Sequence, residues 1–282
     1  MPRPGWLLLY GVTLCAALMA LRIGLPYCLQ TAFISEVEKL GGRVTTQPGG
    51  PEWLRNFAGD DAMRGFDQVM GINLSMTAIN DNWLSKLEQF PDLRRVSLRN
   101  TVVGDAGMVH LAGLLQLEDL QVVDTNVGNA GLAQLKRLPK LRSIQAGLTR
   151  VGDAGLIHAG EMRQLTYFGV RGDDVTDAGL AHLAGLTSLT GLFLGETKVS
   201  DAGLAYLSQM RRLQELWVYD TAVTNAGLRE ITALPELRYL HVSSEQLTAD
   251  DLDELVRLRP GLQIVVRSAE NDGSGFATGR RR

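Results

Sequence analysis

Eight residues of this 282-residue chain have the composition of a binding hot spot: Tyr167, Arg171, Phe193, Glu215, Trp217, Tyr219, Tyr239 and His241. Phe193, Trp217 and His241 are 24 residues apart, as are Glu215 and Tyr239, and Arg171 and Tyr219 stand two such intervals apart. Aromatic rings give large, stiff contact areas, and arginine adds a planar cation; binding energy at protein interfaces concentrates on these types. Aromatics make up 6% of the chain, so their collection in one stretch weighs against simple strand propensity as the explanation. Asp220 lies nearby, and Gly169, Gly191 and Gly195 leave room beside the rings.

Other candidate chemistry is weaker. His110, His158 and His182 also recur at multiples of 24, but at a helical position. Neighbouring helix axes about 8–10 Å apart are too distant for such a column to share a metal. Asp105, Asp153, Asp177 and Asp201 form a column that helix capping explains better than cation binding. Arg171-Gly172-Asp173 spells a cell-adhesion tripeptide, read here as coincidence. The sequence has no phosphate-cradling loop, no H-E-x-x-H and no G-x-S-x-G. Cys15 and Cys28 are too few for a disulfide framework. The expectation is a non-enzyme with no cofactor and no metal. A net charge of −3 gives no footprint for nucleic acid.

The spacing that carries these residues runs through most of the chain. Leu93, Leu117, Leu141, Leu165, Leu189, Leu213 and Leu237 open successive 24-residue blocks, and Val69 opens a weaker earlier one. Superposed, the blocks read L-x-x-L-x-L-x-x-T-x-V-x-D-A-G-L-x-x-L-x-x-L-x-x. Positions 4 and 6 alternate as in a strand, for example Leu192 and Leu194. Positions 16, 19 and 22 recur at helical spacing, as in Leu180, Leu183 and Leu186. Between them an Asp or Asn (Asp105, Asn129, Asp153, Asp177, Asp201, Asn225), often after Thr or Ser, caps the helix. One strand and one helix cannot bury their apolar faces alone, so the blocks must stack as a solenoid. Gly107, Gly131, Gly155, Gly179, Gly203 and Gly227 fall near each helix start. Glycine within a helix costs about 1 kcal/mol relative to alanine, so the column predicts close approach between repeats.

These blocks resemble leucine-rich repeats, over residues 69–266. The Thr-x-Val-x-Asp-Ala-Gly-Leu variant is similar to arrays in bacterial leucine-rich repeat proteins and in the repeat portion of F-box proteins. No F-box-like segment precedes the repeats, so a ubiquitin-ligase role does not carry over. The usual Asn or Cys at position 9 is Thr77, Thr101, Thr125, Thr149, Thr197 and Thr221 here, with Asp173 and Glu245 as exceptions. A hydroxyl ladder bonded to loop backbone is expected in place of an asparagine ladder. The resemblance implies an α/β solenoid with a parallel concave sheet and convex helices, its hot-spot residues exposed at positions 3, 5 and 7 of each block. Residues 51–66 are expected to cover the first repeat. Residues 259–266, after a one-residue insertion, are expected to cover the last.

Outside the array, residues 6–21 (WLLLYGVTLCAALMAL) carry no charge and lie between Arg3 and Arg22. Extended to Leu25 the stretch is long enough to span a bilayer, so residues 1–26 read as a membrane anchor, with a cleaved signal peptide as the competing reading. Residues 27–68 read as a helical linker and N-terminal cap, in which Leu29, Phe33, Val37 and Leu40 share a helix face before Gly41-Gly42. Pro51 opens a second helix bearing Trp53, Leu54 and Phe57. Residues 267–282 read as a disordered tail. The expected function is a single-pass membrane protein whose repeats, outside the cytoplasm, bind a protein partner on the concave face. Glycan or cell-wall polymer binding by the same aromatic patch is the alternative, and a structural spacer is a third.

Overall fold

The computed structural model describes residues 25–50 and 52–267. Residues 1–24 of the anchor or signal expected over 1–26, and 268–282 of the tail expected over 267–282, lie outside the described residues, and so does Pro51. Leu25 and Pro26 belong to a helix, and Arg267, expected in the disordered tail, ends a strand. Among the described residues no helix is long and apolar enough to cross a membrane. The chain divides into two compact units, Met1–Leu74 and Ser75–Arg282.

In the first unit, helix α1 (Leu25–Lys39) is followed by strand β1 (Arg43–Gln47). Helices α2 (Glu52–Ala58) and α3 (Asp60–Met63) lead through a 3-10 turn, Arg64–Phe66, into strand β2 (Gln68–Asn73). Strands β1 and β2 pair antiparallel. The buried stripe of α1 is Phe33, Ile34 and Val37; Leu29 and Leu40, assigned to that face from spacing, are exposed. Gly41 ends α1 with φ 86°, a conformation that suits glycine. Asp67, 7% exposed, is the polar centre of this unit. It accepts from Gly49 N at 3.1 Å and pairs with Arg55, so its buried charge is balanced.

In the second unit a 3-10 helix, Asp81–Gln89, precedes eight parallel strands. These are β3 (Arg95–Ser97), β4 (Asp119–Gln121), β5 (Ser143–Gln145), β6 (Tyr167–Gly169), β7 (Gly191–Phe193), β8 (Glu215–Trp217), β9 (Tyr239–Ser243) and β10 (Gln263–Arg267). They neighbour one another in sequence order, with no offset in the 24-residue register from Arg95↔Asp119 to Gln263↔Tyr239. The one-residue insertion expected before the last strand therefore does not shift it. Gly261, at φ 98°, stands where a leucine would open the block, and Leu262 beside it is the buried residue.

Helices fill the connections: α4 (Asp105–Leu111), α5 (Asn129–Leu135), α6 (Asp153–Gly160), α7 (Asp177–Leu183), α8 (Asp201–Leu204, continued by a 3-10 turn to Gln209), α9 (Asn225–Ile231) and α10 (Ala249–Leu258). Positions 4 and 6 of the strands and 16, 19 and 22 of the helices share one core: Leu192, Leu194, Leu204 and Leu207, for example, are at most 2% exposed. The threonines of position 9 form a buried to half-buried column whose shared hydrogen bond lies within each repeat, with Thr149 and Thr221 also bonded to Asp173 and Gln246 of the next one. Thr101, Thr125, Thr149, Thr197 and Thr221 donate to the carbonyl three residues back at 2.6–2.7 Å. One residue earlier the chain turns through positive φ in repeat after repeat, at Met76, Asn100, Asp124, Leu148, Gly172, Glu196 and Asp220.

Candidate partner-binding face

The strand period points positions 4 and 6 into the core and positions 3, 5 and 7 onto the opposite, open face of the sheet. In-register pairing then sets residues 24 apart side by side. Phe193 and Trp217 meet edge-on with centroids 4.9 Å apart, Trp217 and His241 lie 4.6 Å apart, and Tyr167 stacks beside Phe193 at 6.4 Å. Tyr167 and Tyr239 are each 41% exposed, and Phe193, Trp217 and His241 are half-buried. The glycines are the floor of this shelf rather than space beside it. A Cβ on Gly191 would lie 2.5 Å from the Tyr167 ring, and one on Gly195 equally close to the Tyr219 ring. On Gly169 it would meet Gln145 Oε1 at 2.5 Å and the Phe193 ring at 3.2 Å.

Glu215 fixes the centre of the shelf. Its Oε1 accepts from Trp217 Nε1 at 2.8 Å and lies 3.6 Å from His241 Nε2. Burial lowers the His241 pKa to about 4, so at neutral pH this contact joins a carboxylate to an uncharged imidazole. Tyr219, expected as an exposed anchor, is 3% exposed. Its ring lies under two guanidinium groups, with Arg267 Cζ 4.5 Å and Arg171 Cζ 5.8 Å from its centroid. Glu196 holds both arginines, at 2.7 Å from Arg171 and 3.1 Å from Arg267. Burial raises the Tyr219 pKa, and the two cations oppose that shift.

Arg267 and Glu196 were not among the residues read from sequence. Arg267 lies in a strand with a degraded repeat pattern. Glu196 occupies position 8, which strand alternation does not mark as outward; its φ of 60° is what turns it onto this face. Toward the N-terminal end the same face is polar, with Ser75 and Ser97 hydroxyls 2.9 Å apart and Asn100 bonded to Asp124 at 2.6 Å.

No protein-family model matches the sequence, and no curated protein does. Among solved structures the chain is similar to the internalin InlF of Listeria monocytogenes: TM-score 0.51, 19% identity, 68% of this chain and 58% of that one. It thus spans little more than half of that internalin's length. It is also similar to the internalin InlC2 of the same organism: TM-score 0.49, 17% identity, 64% of this chain and 83% of that one. The fold is a leucine-rich repeat. No closer kinship is shown at this identity.

The aspartate column of this leucine-rich repeat has a different task from the one its spacing suggests. The N-caps are the residues before it: Thr176, Ser200 and Thr224 accept from backbone N–H groups two residues on, while Gly104, Gly128 and Gly152 hold the same place without a side chain. Each carboxylate instead serves the next repeat. Asp177 Oδ1 accepts from Ser200 N at 2.7 Å and Oδ2 from Ser200 Oγ at 2.6 Å; Asp153 and Asp201 do the same for Thr176 and Thr224. Asp105 and Asn129 reach Gly128 N and Gly152 N. The glycine column lies directly against these groups, so a Cβ on Gly131 would meet Asp105 Oδ1 at 2.6 Å and one on Gly155 would meet Asn129 Oδ1 at 2.6 Å.

The remaining sequence candidates separate. His110, His158 and His182 lie on α4, α6 and α7, and His110 Nδ1 is 2.6 Å from Glu88 in the preceding repeat. Among the described residues no group of His, Cys, Asp or Glu is placed to hold a metal. In the Arg-Gly-Asp tripeptide, Arg171 lies on the open face while Asp173 is 4% exposed and accepts from Thr149 N at 2.6 Å. Desolvation raises the Asp173 pKa to about 7 against those hydrogen bonds.

Proposed function

We propose that this chain is a membrane-anchored, non-enzymatic recognition scaffold that holds a protein partner on the open face of its repeat sheet. The observation that carries the reading is the continuous ring shelf from Tyr167 to His241, set on a glycine floor and keyed by the Glu215–Trp217 hydrogen bond. A shelf whose side chains are already packed loses little rotamer entropy on binding. Its residues, Tyr167, Arg171, Phe193, Glu215, Trp217, Tyr219, Tyr239 and His241, divide into two roles in this reading. Tyr167, Phe193, Trp217, Tyr239 and His241 make the contact, and Arg171, Tyr219 and Glu215 hold it in place. The uncharged stretch 6–21 supports the membrane attachment, with the repeats outside the cytoplasm.

Trp217→Ala tests the site, because it removes a half-buried ring from the centre while leaving the buried Tyr219 alone. A hot-spot loss of about 2 kcal/mol corresponds to roughly 30-fold weaker partner capture, with far-ultraviolet circular dichroism unchanged. Undiminished capture by that variant refutes the site. A glycan panel on the same two proteins tests the polymer alternative: Trp217-dependent binding to a glycan and none to protein would reassign the shelf. Protease protection of the repeats in spheroplasts would reverse the proposed topology.

A further inference from the structure

Helix α2 has its polarity reversed. Trp53 and Phe57, four residues apart and so on one face, are 70% and 88% exposed. Arg55, two residues from each and therefore on the opposite side, packs inward. It pairs with Asp60 at 2.9 Å and with Asp67, and donates to Gly49 O at 3.0 Å. A helix facing water does the opposite, burying rings and exposing guanidinium. Arg55 is pinned at three points, so the outward aromatics are a fixed feature of the fold.

The position of α2 in the first unit indicates what covers those rings. In the sequence only Arg22, Ile23 and Gly24 separate the uncharged stretch 6–21 from Leu25, the first described residue of helix α1. Tyr27, in the first turn of α1, donates to Ala62 O at 3.0 Å, and its ring lies 5.1 Å from that of Phe66. Gln30, one turn on, donates to Arg64 O at 3.1 Å. The segment that closes α2 and α3 is thus bound to the end of α1 at which the apolar stretch enters. A span ending near Leu25 brings this corner to the headgroup layer, roughly 5–8 Å deep on each side of the hydrocarbon, where tryptophan is enriched.

We infer that Trp53 and Phe57 on α2 are a membrane-contact pair that seats the first unit in the lipid interface beside its anchor. The inference rests on the membrane reading above. Glu52, Asp60 and Asp61 are exposed on the same two helices, so the contact is made by the rings and not by attraction to anionic headgroups.

Full-length protein in phosphatidylcholine vesicles tests this. The wild-type emission minus that of Trp53→Phe isolates Trp53. With phosphatidylcholine brominated high on its acyl chains, that difference signal is expected to lose more than half its intensity, and phosphatidylglycerol should not be needed. An unquenched Trp53 in protein that stays with the vesicles through an alkaline carbonate wash overturns the contact and leaves the anchor standing. Release of the chain by that wash overturns the anchor, and the contact with it.

Discussion

Gly203→Ala separates two accounts of the glycine column. Helix propensity alone predicts a gain of about 1 kcal/mol, because glycine in a helix is that much worse than alanine. The packing predicts the reverse. A Cβ on Gly203 would fall inside van der Waals contact of Asp177 Oδ1, with Asp177 Cγ at 3.1 Å and Val199 Cγ1 at 3.2 Å. To admit it the Asp177 carboxylate must leave Ser200, forfeiting bonds of 2.7 Å to its backbone N–H and 2.6 Å to its hydroxyl. Hydrogen bonds to a charged group contribute about 1.5–3 kcal/mol each, so the net loss after the propensity gain is about 2–5 kcal/mol. Urea unfolding followed by circular dichroism measures it, and a double-mutant cycle assigns it. With the carboxylate already removed by Asp177→Ala, adding Gly203→Ala should be neutral or stabilising by about 1 kcal/mol. If Gly203→Ala stabilises the wild-type background, or the two changes simply add, the inter-repeat carboxylate is not what requires glycine.

Two further perturbations probe the turn and the buried carboxyl. Met76 sits at φ 60° and is 82% exposed, so Met76→Asn keeps the turn and loses little burial. It should raise stability by about 0.5–1 kcal/mol, since a left-handed conformation costs most L-residues about 1–2 kcal/mol and asparagine less; a lower urea midpoint contradicts the strain at this turn. Asp173 binds its proton more tightly folded, at about 7, than at the ordinary 3.8. Its contribution is therefore fully present below pH 3.8 and lost as pH rises to about 7. Across that window stability falls by at most about 1.4 kcal/mol for each pH unit. Asp173→Asn should flatten the stability profile there, and an unchanged profile places the titration elsewhere.

The repeat was legible because stacking makes period 24 the spacing between neighbours in space. Leu192 and Leu216 are core neighbours in the structure because they are equivalent in the sequence. The same logic located Phe193, Trp217 and His241 beside one another. What escaped is what does not follow strand alternation. Tyr219 keeps its place in an outward column yet is buried, because Arg267 from the last strand and Glu196 from a left-handed turn close over it. The Asp and Gly columns were both visible, but as separate devices. That one carboxylate fills the space left by the next repeat's glycine depends on atomic positions that a column of letters does not carry. In α1, spacing put Leu29 and Leu40 on a face that only Phe33, Ile34 and Val37 bury, since a helix in a small unit is covered over part of its length.

The extent of the shelf limits what can lie on it. Its rings come from four successive strands, β6 to β9, and adjacent strands stand about 4.8 Å apart, so the contact surface is about 14 Å wide across the strands. That is about two and a half turns of a helix at 5.4 Å per turn, or four residues of extended chain. In the proposed reading, a partner element of that size would reach from Tyr167 to Tyr239 with Trp217 near its middle. The stiffness of the surface does not come from the rings alone. Arg267 belongs to β10, two strands beyond Trp217, and through Glu196 and Tyr219 it ties that last strand to β7 and β8. The terminal strand therefore braces the shelf although no ring comes from it. Glu196 sits in the left-handed turn at φ 60° and supplies the carboxylate between Arg171 and Arg267, a contact that glycine, although less strained in that turn, would lack.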